Sequence, residues 1–298
     1  MRRSATMPQS LLHDPILSWY STHRRRLPWR SPGVTAWQVL VSEVMLQQTP
    51  VDRVLPVFGE WLERWPTPSQ LAADSPGEAV RAWGRLGYPR RAIRLHEAAS
   101  TIVSRHGGAV PDDYPSLLAL PGVGTYTASA VMSFGFGERH AVLDTNVRRV
   151  LARLLLGRER ATASVTAAER TVAESVVPDQ PPRAATWAVA VMELGALVCT
   201  ALAPSCEQCP VATLCRWRHG GYPASDVQPI PSQRYAGTDR HCRGTLLAVL
   251  RESTSPVPRS ALDAAWRQEI QRERALDGLI VDGLVEPMAD GRFRLPGS

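Results

Sequence analysis

Four cysteines, Cys199, Cys206, Cys209 and Cys215, stand in the spacing Cys-x6-Cys-x2-Cys-x5-Cys, and the fifth, Cys242, lies far outside the set. Thiols this close together cannot staple a chain of 298 residues, but they can wrap one small metal centre. Thiolates at this density suit an iron–sulfur cluster or a structural zinc. Zinc sites favour two close Cys-x2-Cys pairs, and only one pair has that spacing here. Trp187, Val191, Leu194 and Val198 recur at helical spacing, so a helix ends at Cys199. The other three cysteines fall on a tight loop containing Pro204, Ser205 and Pro210. Cys242 reads as an ordinary free cysteine.

Two carboxylates could do acid–base work. Asp144 opens the run Asp144-Thr145-Asn146-Val147-Arg148-Arg149-Val150, where it reads as a helix N-cap. A carboxylate at a helix start is held ionised by the dipole, and in that form it can stabilise or attack an oxocarbenium-like sugar. Glu43 lies inside the apolar helical run from Val39 to Thr49. On a solvated stripe it is an ordinary surface residue. Buried, it becomes a desolvated group that favours the protonated acid. Between these two, Leu120-Pro121-Gly122-Val123-Gly124-Thr125 places two glycines ahead of a helix starting near Thr125. A plain turn satisfies that pattern. So does a phosphate site, in which the free N–H groups of a helix start face an anion without sequence preference.

The elements that must position these groups are helical. Apolar residues at helical spacing fill roughly 10–22, 36–48, 51–65, 77–85, 90–106, 115–120, 125–135, 144–156, 162–176 and 183–199, with Pro or Gly at nearly every junction. The body is therefore expected to be all-α. Residues 219–238, with Gly220, Gly221, Pro223, Pro229 and Pro231, read as a linker. Beyond it, helices near 242–252, 258–267 and 269–282 precede a short hairpin spanning residues 283–295, which fits a small winged-helix-like module or a less regular C-terminal cap.

Net charge is +6, which favours a polyanionic partner. All 34 basic residues are arginine. With no lysine, no side-chain amine can form a Schiff base, and efficient lyase chemistry is not expected. No apolar run reaches the length of a membrane span and no leader is visible after Met1, so no membrane partner and a cytoplasmic setting are expected.

The cysteine spacing resembles the cluster loop of the endonuclease III superfamily of DNA glycosylases, and the string from Leu120 to Ala128 resembles its helix-hairpin-helix. Within that superfamily, Ser42-Glu43-Val44-Met45-Leu46-Gln47-Gln48-Thr49 is similar to the signature of MutY-type adenine DNA glycosylases, as are Leu27-Pro28-Trp29-Arg30, Leu86-Gly87-Tyr88 and Met192-Glu193-Leu194-Gly195. The resemblance covers about residues 10–218. It implies a [4Fe–4S] cluster on Cys199, Cys206, Cys209 and Cys215. It implies an acid role on adenine for Glu43, and sugar-cation stabilisation by Asp144 and Tyr126. It places Arg30, Gln48, Thr49, Tyr88, Gly122, Val123, Gly124 and Asn146 on DNA, with Gln48 and Tyr88 wedged beside the mispair. Relatives with lyase activity carry lysine where this chain has Tyr126, so hydrolysis without strand cleavage is expected. The partner is double-stranded DNA with adenine opposite 8-oxoguanine or guanine, and the protein is expected to be a monomer, nucleoid-associated if bacterial.

The implied layout is an N-terminal helix (1–34) packing on the cluster subdomain, a six-helix barrel with the hairpin (35–140), the cluster subdomain (141–218), the linker (219–238) and the winged-helix-like module (239–298). That module shows no match to the Nudix-like domain of many adenine glycosylases, and the roles open to it are to replace that domain, to contact the duplex or to bind a protein partner. Pro89, Thr145 and Trp187-Ala188-Val189 also depart from the usual pattern. The competing readings are a related glycosylase acting on thymine or a damaged pyrimidine, and a non-catalytic DNA-binding protein with a cluster.

Overall fold

The computed structural model describes residues 10–225 and 235–297. Residues 226–234, the middle of the expected linker, lie outside the described residues. The chain divides into two compact units, one of Met1–Val39 with Gly124–Ile230 and one of Leu40–Val123 with Pro231–Ser298.

In the first unit α1 (Ser10–His23) packs on α11 (Pro181–Leu197), which packs in turn on α9 (Thr145–Leu156). Shorter helices α10 (Ala167–Ser175) and α12 (Arg216–His219) also rest on α9. The pattern read from sequence supplies the core: Leu12, Ile16, Val147, Leu151, Trp187, Val191 and Leu194 are buried together. Fully burying each such side chain contributes about 1.5–3 kcal/mol. Asp144 caps the start of α9, and Gly157 ends it in the left-handed region at φ +66°. The helix expected over 162–176 begins only at Ala167. A capping box between Thr166 and Glu169 fixes that start, and Arg148 holds the carbonyls of Thr162 and Ser164 outside it. Helix α8 (Thr125–Ala130) runs directly into one π-helical turn, Val131–Gly135.

Helix α2 (Ala36–Leu46) carries the chain into the second unit. There α3 (Val51–Arg64), α4 (Pro68–Ala73), α5 (Pro76–Trp83), α6 (Arg90–His106) and α7 (Tyr114–Leu118) follow in order, with α6 packed on α4 and α5. Trp61 meets Trp65 and Trp83 edge-on, with ring centroids 4.6 and 5.7 Å apart.

The C-terminal segment of this unit comprises α13 (Asp239–Glu252), α14 (Arg259–Ala265), α15 (Glu269–Val281) and an antiparallel pair, β1 (Glu286–Pro287) and β2 (Phe293–Arg294). Val257 bridges to Phe293 as well. Three helices closed by a hairpin is the winged-helix-like order expected. The segment packs on α5. Arg81 donates to the carbonyls of Leu250, Arg251 and Ser253 at the end of α13, Arg251 Nε donates to Val80, and the Gly77 N–H donates to Pro296. Among the described residues no helix is long and apolar enough to cross a membrane.

Candidate active site and cysteine loop

In the first unit Asp144 does what its sequence position implies. Its Oδ1 accepts the Val147 N–H at 2.6 Å and its Oδ2 accepts the Asn146 side-chain amide at 2.8 Å. Burial raises the carboxyl above its ordinary value, and the hydrogen bonds from Val147 and Asn146 oppose the rise without reversing it. The helix dipole alone placed this group lower; desolvation outweighs it.

Asn146 is held from the other side. Arg149 donates to Asn146 Oδ1 at 2.7 Å, and also to the carbonyls of Gly195 at 2.6 Å and Cys199 at 2.7 Å. One turn further along α9, Arg153 donates to the carbonyls of Thr200 and Ala201 and lies 3.4 Å from Cys199 Sγ. A single helix thus carries Asp144 at its start and the anchors of the cysteine loop along one side.

The loop itself is built from two 3-10 turns, Cys206–Gln208 and Ala212–Leu214. Cys199, Cys209 and Cys215 pack against the core of the first unit. Burial pushes the Cys209 thiol up to about 11, with Cys199, Cys215 and Cys206 adding to the rise, so all four sulfurs lie within electrostatic reach. Among the described residues no three His, Cys, Asp or Glu side chains are grouped so as to hold a single metal ion. Cys242 is buried in α13 and its thiol faces the Gln271 carbonyl.

Tyr126 is half-buried near the start of α8, against Ala130, Val142 and Ala188. Arg30 donates to Glu193 Oε2 at 2.7 Å, and Arg25 grips both oxygens of the same carboxylate at 2.9 Å. Glu193 is completely buried. Burial would raise its pKa, but the two guanidinium groups hold it at about 2.

In the second unit Glu43 is buried, 5% exposed, on the apolar helix α2. Helix α2 stops at Leu46, two residues earlier than expected, because Gln48 adopts a left-handed conformation at φ +54°. Tyr88 does the same at φ +47°, and its ring is exposed. Thr49 is buried and its hydroxyl donates to the Leu86 carbonyl, which ties the two turns together. The hairpin turn shows why Gly122 is glycine. Its φ is +76°, and a Cβ there would lie 2.7 Å from Arg94 Cβ. The Val123 N–H closes the turn on Leu120, and Gly124 caps α8.

With this geometry in place, the comparisons with known proteins are decisive. The model of the HhH-GPD superfamily base excision DNA repair proteins matches residues 41–175. An adenine DNA glycosylase of Mycolicibacterium smegmatis is 56% identical over 95% of this chain and 95% of its own. That of Mycobacterium tuberculosis is 51% identical over 99% of this chain and 96% of its own. The chain belongs to the adenine DNA glycosylase family. The human family member is 42% identical over 68% of this chain and 38% of its own. Among solved structures, a thermostable thymine-DNA glycosylase superposes with a TM-score of 0.64 at 27% identity, covering 71% of this chain and 97% of that one. An endonuclease III trapped on DNA superposes with a TM-score of 0.60 at 22% identity, covering 72% and 99%, which shows the shared fold.

Sequence reasoning named Asp144, Asn146, Arg30 and the cysteines separately. It missed Arg149, Arg153 and Arg91, whose donors meet carbonyls of other segments, and it held Glu193 in a motif without its role as the acceptor of Arg25 and Arg30. The only signal was a glutamate inside the apolar run before Cys199.

Proposed function

We propose that this protein is a monofunctional base-excision-repair glycosylase that hydrolyses the N-glycosidic bond of adenine mispaired with 8-oxoguanine or guanine. The burial of Glu43 carries this reading: it meets the condition that separates an acid on the base from an ordinary helical glutamate. The names of the family members similar along nearly the whole chain support it.

Gln48 and Tyr88 wedge into the duplex beside the mispair, and the turn of Gly122, Val123 and Gly124, which the Val123 N–H closes on Leu120, holds the DNA backbone. Arg30 adds a DNA contact from beside Glu193, and Thr49, buried with its hydroxyl on the Leu86 carbonyl, supports the neighbouring Gln48. The adenine leaves the stack at a cost of a few kcal/mol, roughly, that a mispair lowers. Glu43 gives a proton to the adenine ring and weakens the glycosidic bond. Asp144, held by Val147 and Asn146, stabilises the sugar cation with the Tyr126 hydroxyl. As the C–N bond breaks, water bonds to the sugar carbon and its surplus proton returns to the Glu43 carboxylate. No lysine is present to trap the opened sugar, so the strand stays intact.

Cys199, Cys206, Cys209 and Cys215 fit a [4Fe–4S] cluster. They supply four thiols, one at a helix end and three on a loop, and the Arg153 guanidinium beside Cys199 Sγ suits a centre of negative charge. Bound there, the cluster would fix the loop; the hydrolysis transfers no electrons.

The test is single-turnover excision on a duplex with adenine opposite 8-oxoguanine, scored with and without alkali, beside duplexes with adenine or thymine opposite guanine. Strand scission only after alkali, and only from adenine, supports the reading. Scission without alkali overturns the monofunctional part, and thymine release with adenine untouched overturns the substrate.

A further inference from the structure

Two non-glycine residues of the second unit, Gln48 and Tyr88, hold the left-handed backbone conformation, and both are side chains that the reading above sends into the duplex. Such conformations persist in non-glycine residues only where the surroundings over-determine them. Here a single side chain supplies much of that determination. Arg91, in the first turn of α6, donates from Nη1 to the carbonyls of Val44 at 2.8 Å, Met45 at 3.1 Å and Gln47 at 2.5 Å. Its Nη2 donates to Thr49 Oγ1 at 2.9 Å and to the Gly87 carbonyl at 3.0 Å. The carbonyls of Gln47 and Gly87 belong to the peptide units that lead into Gln48 and Tyr88. The backbone N–H of Arg91 adds a bond to the Tyr88 carbonyl at 3.0 Å. The guanidinium lies 5.2 Å from the Trp83 ring centroid and 5.4 Å from that of Tyr88.

We propose that Arg91 is the positioning residue that sets both wedge residues at once, by clamping the end of α2 and the Gly87–Tyr88 turn with one guanidinium. The inference rests on the wedge roles proposed for Gln48 and Tyr88. The geometry of the fork explains the residue type. Both terminal nitrogens are committed, Nη1 to the end of α2 and Nη2 to Thr49 and the Gly87 carbonyl, and the contacts require a planar cation with several fixed donors. Lysine, with one ammonium, cannot span both loops. Burial lowers the Arg91 guanidinium only to about 10, so the clamp stays charged at neutral pH. Arg91 acts through loop geometry, so its loss falls on mispair recognition and on the excision that follows it.

The experiment compares Arg91→Lys and Arg91→Met, alone and combined with a Gln48→Ala/Tyr88→Ala double variant, in the full chain. Thermal melting identifies folded variants. Two quantities are measured: the ratio of affinities for a duplex with adenine opposite 8-oxoguanine and for a fully matched duplex, and the single-turnover excision rate. Both Arg91 variants are expected to lower the ratio at least ~10-fold and excision by ~10²-fold, the scale of a 1 Å misplacement. A structural role alone would lower melting without moving the ratio. In the Gln48→Ala/Tyr88→Ala background the Arg91 change is expected to add little, since residues acting through one another are not additive. Arg91→Lys retains charge and stem and gives the decision if Arg91→Met does not fold. A wild-type ratio in Arg91→Lys, or a full effect of Arg91 in the double-variant background, overturns the inference. If Gln48→Ala/Tyr88→Ala itself keeps the wild-type ratio, the wedge reading fails and takes this inference with it.

Discussion

Gly195 lies against Asn146 with no room between them: a Cβ at position 195 would sit 2.7 Å from Asn146 Cβ and 2.9 Å from its carbonyl oxygen. The close crossing of α11 and α9 brings the Arg149 fork onto both the Gly195 carbonyl and Asn146 Oδ1. A methyl group there must push the first turn of α9, and with it Asp144. Gly195→Ala is expected to cost about 1–3 kcal/mol by overpacking. It should also slow excision by ~10-fold or more through displaced geometry. Melting curves and single-turnover rates measure the two effects; an unchanged rate would show that the α9 start tolerates movement.

Glu43→Gln should lower excision by ~10²–10⁴-fold, the range for a lost general acid, while mispair binding persists. Near-normal turnover sinks the assignment. Asp144→Asn keeps a cap for Val147 but removes the charge, and it should be at least as damaging.

The Asp144 carboxyl has a pKa raised by burial, so the acid limb of its pH–rate profile should lie above the 3.8 of an unperturbed aspartate. Its sign for stability follows: the folded chain holds this proton more tightly than the unfolded chain, so this group's contribution weakens as pH rises from 3.8 through the raised value. An acid limb that disappears in Asp144→Asn is the expected result.

Glu193 has the opposite sign. Its pKa is depressed from 4.5 to about 2, so its contribution is present above 4.5 and is lost as pH falls toward 2. Glu193→Gln should cost on the order of 2–3 kcal/mol at neutral pH and flatten the acid limb of the stability curve. Denaturant melts at several pH values would show it. Equal pH slopes in the two proteins would overturn the ion-pair account.

Arg81 and Arg251 face one another across α5 and α13 but are predicted to behave differently. Arg81 satisfies three carbonyls, so Arg81→Met leaves buried acceptors unpaired and should cost about 1–3 kcal/mol. Arg251 is half-buried, its pKa lowered by desolvation to about 10, and its Nη2 has no partner. Arg251→Met removes one donor, to the Val80 carbonyl, and should cost less than Arg81→Met, about 1 kcal/mol in melting.

Much of the architecture was legible because it rests on local rules. Pro and Gly punctuation marked the helix ends, Asp144 announced itself as a cap, and the cysteine spacing led to a helix end plus a loop. The arginines were legible only as charge. A net charge of +6 speaks for DNA, yet Arg81, Arg91, Arg149 and Arg153 turn their donors inward onto backbone carbonyls. Nothing in a linear pattern separates an arginine that meets phosphate from one that caps a helix many residues away. The early stop of α2 was hidden for the same reason, since Arg91 from α6 donates to its terminal carbonyls.

The second unit is discontinuous: residues 40–123 and the C-terminal segment share one compact body, joined by Arg81 to the end of α13 and by Gly77 to Pro296. During synthesis, the segment of residues 40–123, which bears Glu43, Gln48 and Tyr88, leaves the ribosome well before its packing partners on α13 and β2. That unit can close only after its C-terminal segment has been made. A premature stop after the cysteine loop would therefore release a chain with an uncovered α5 face, and proteases and chaperones would meet it before any lesion did.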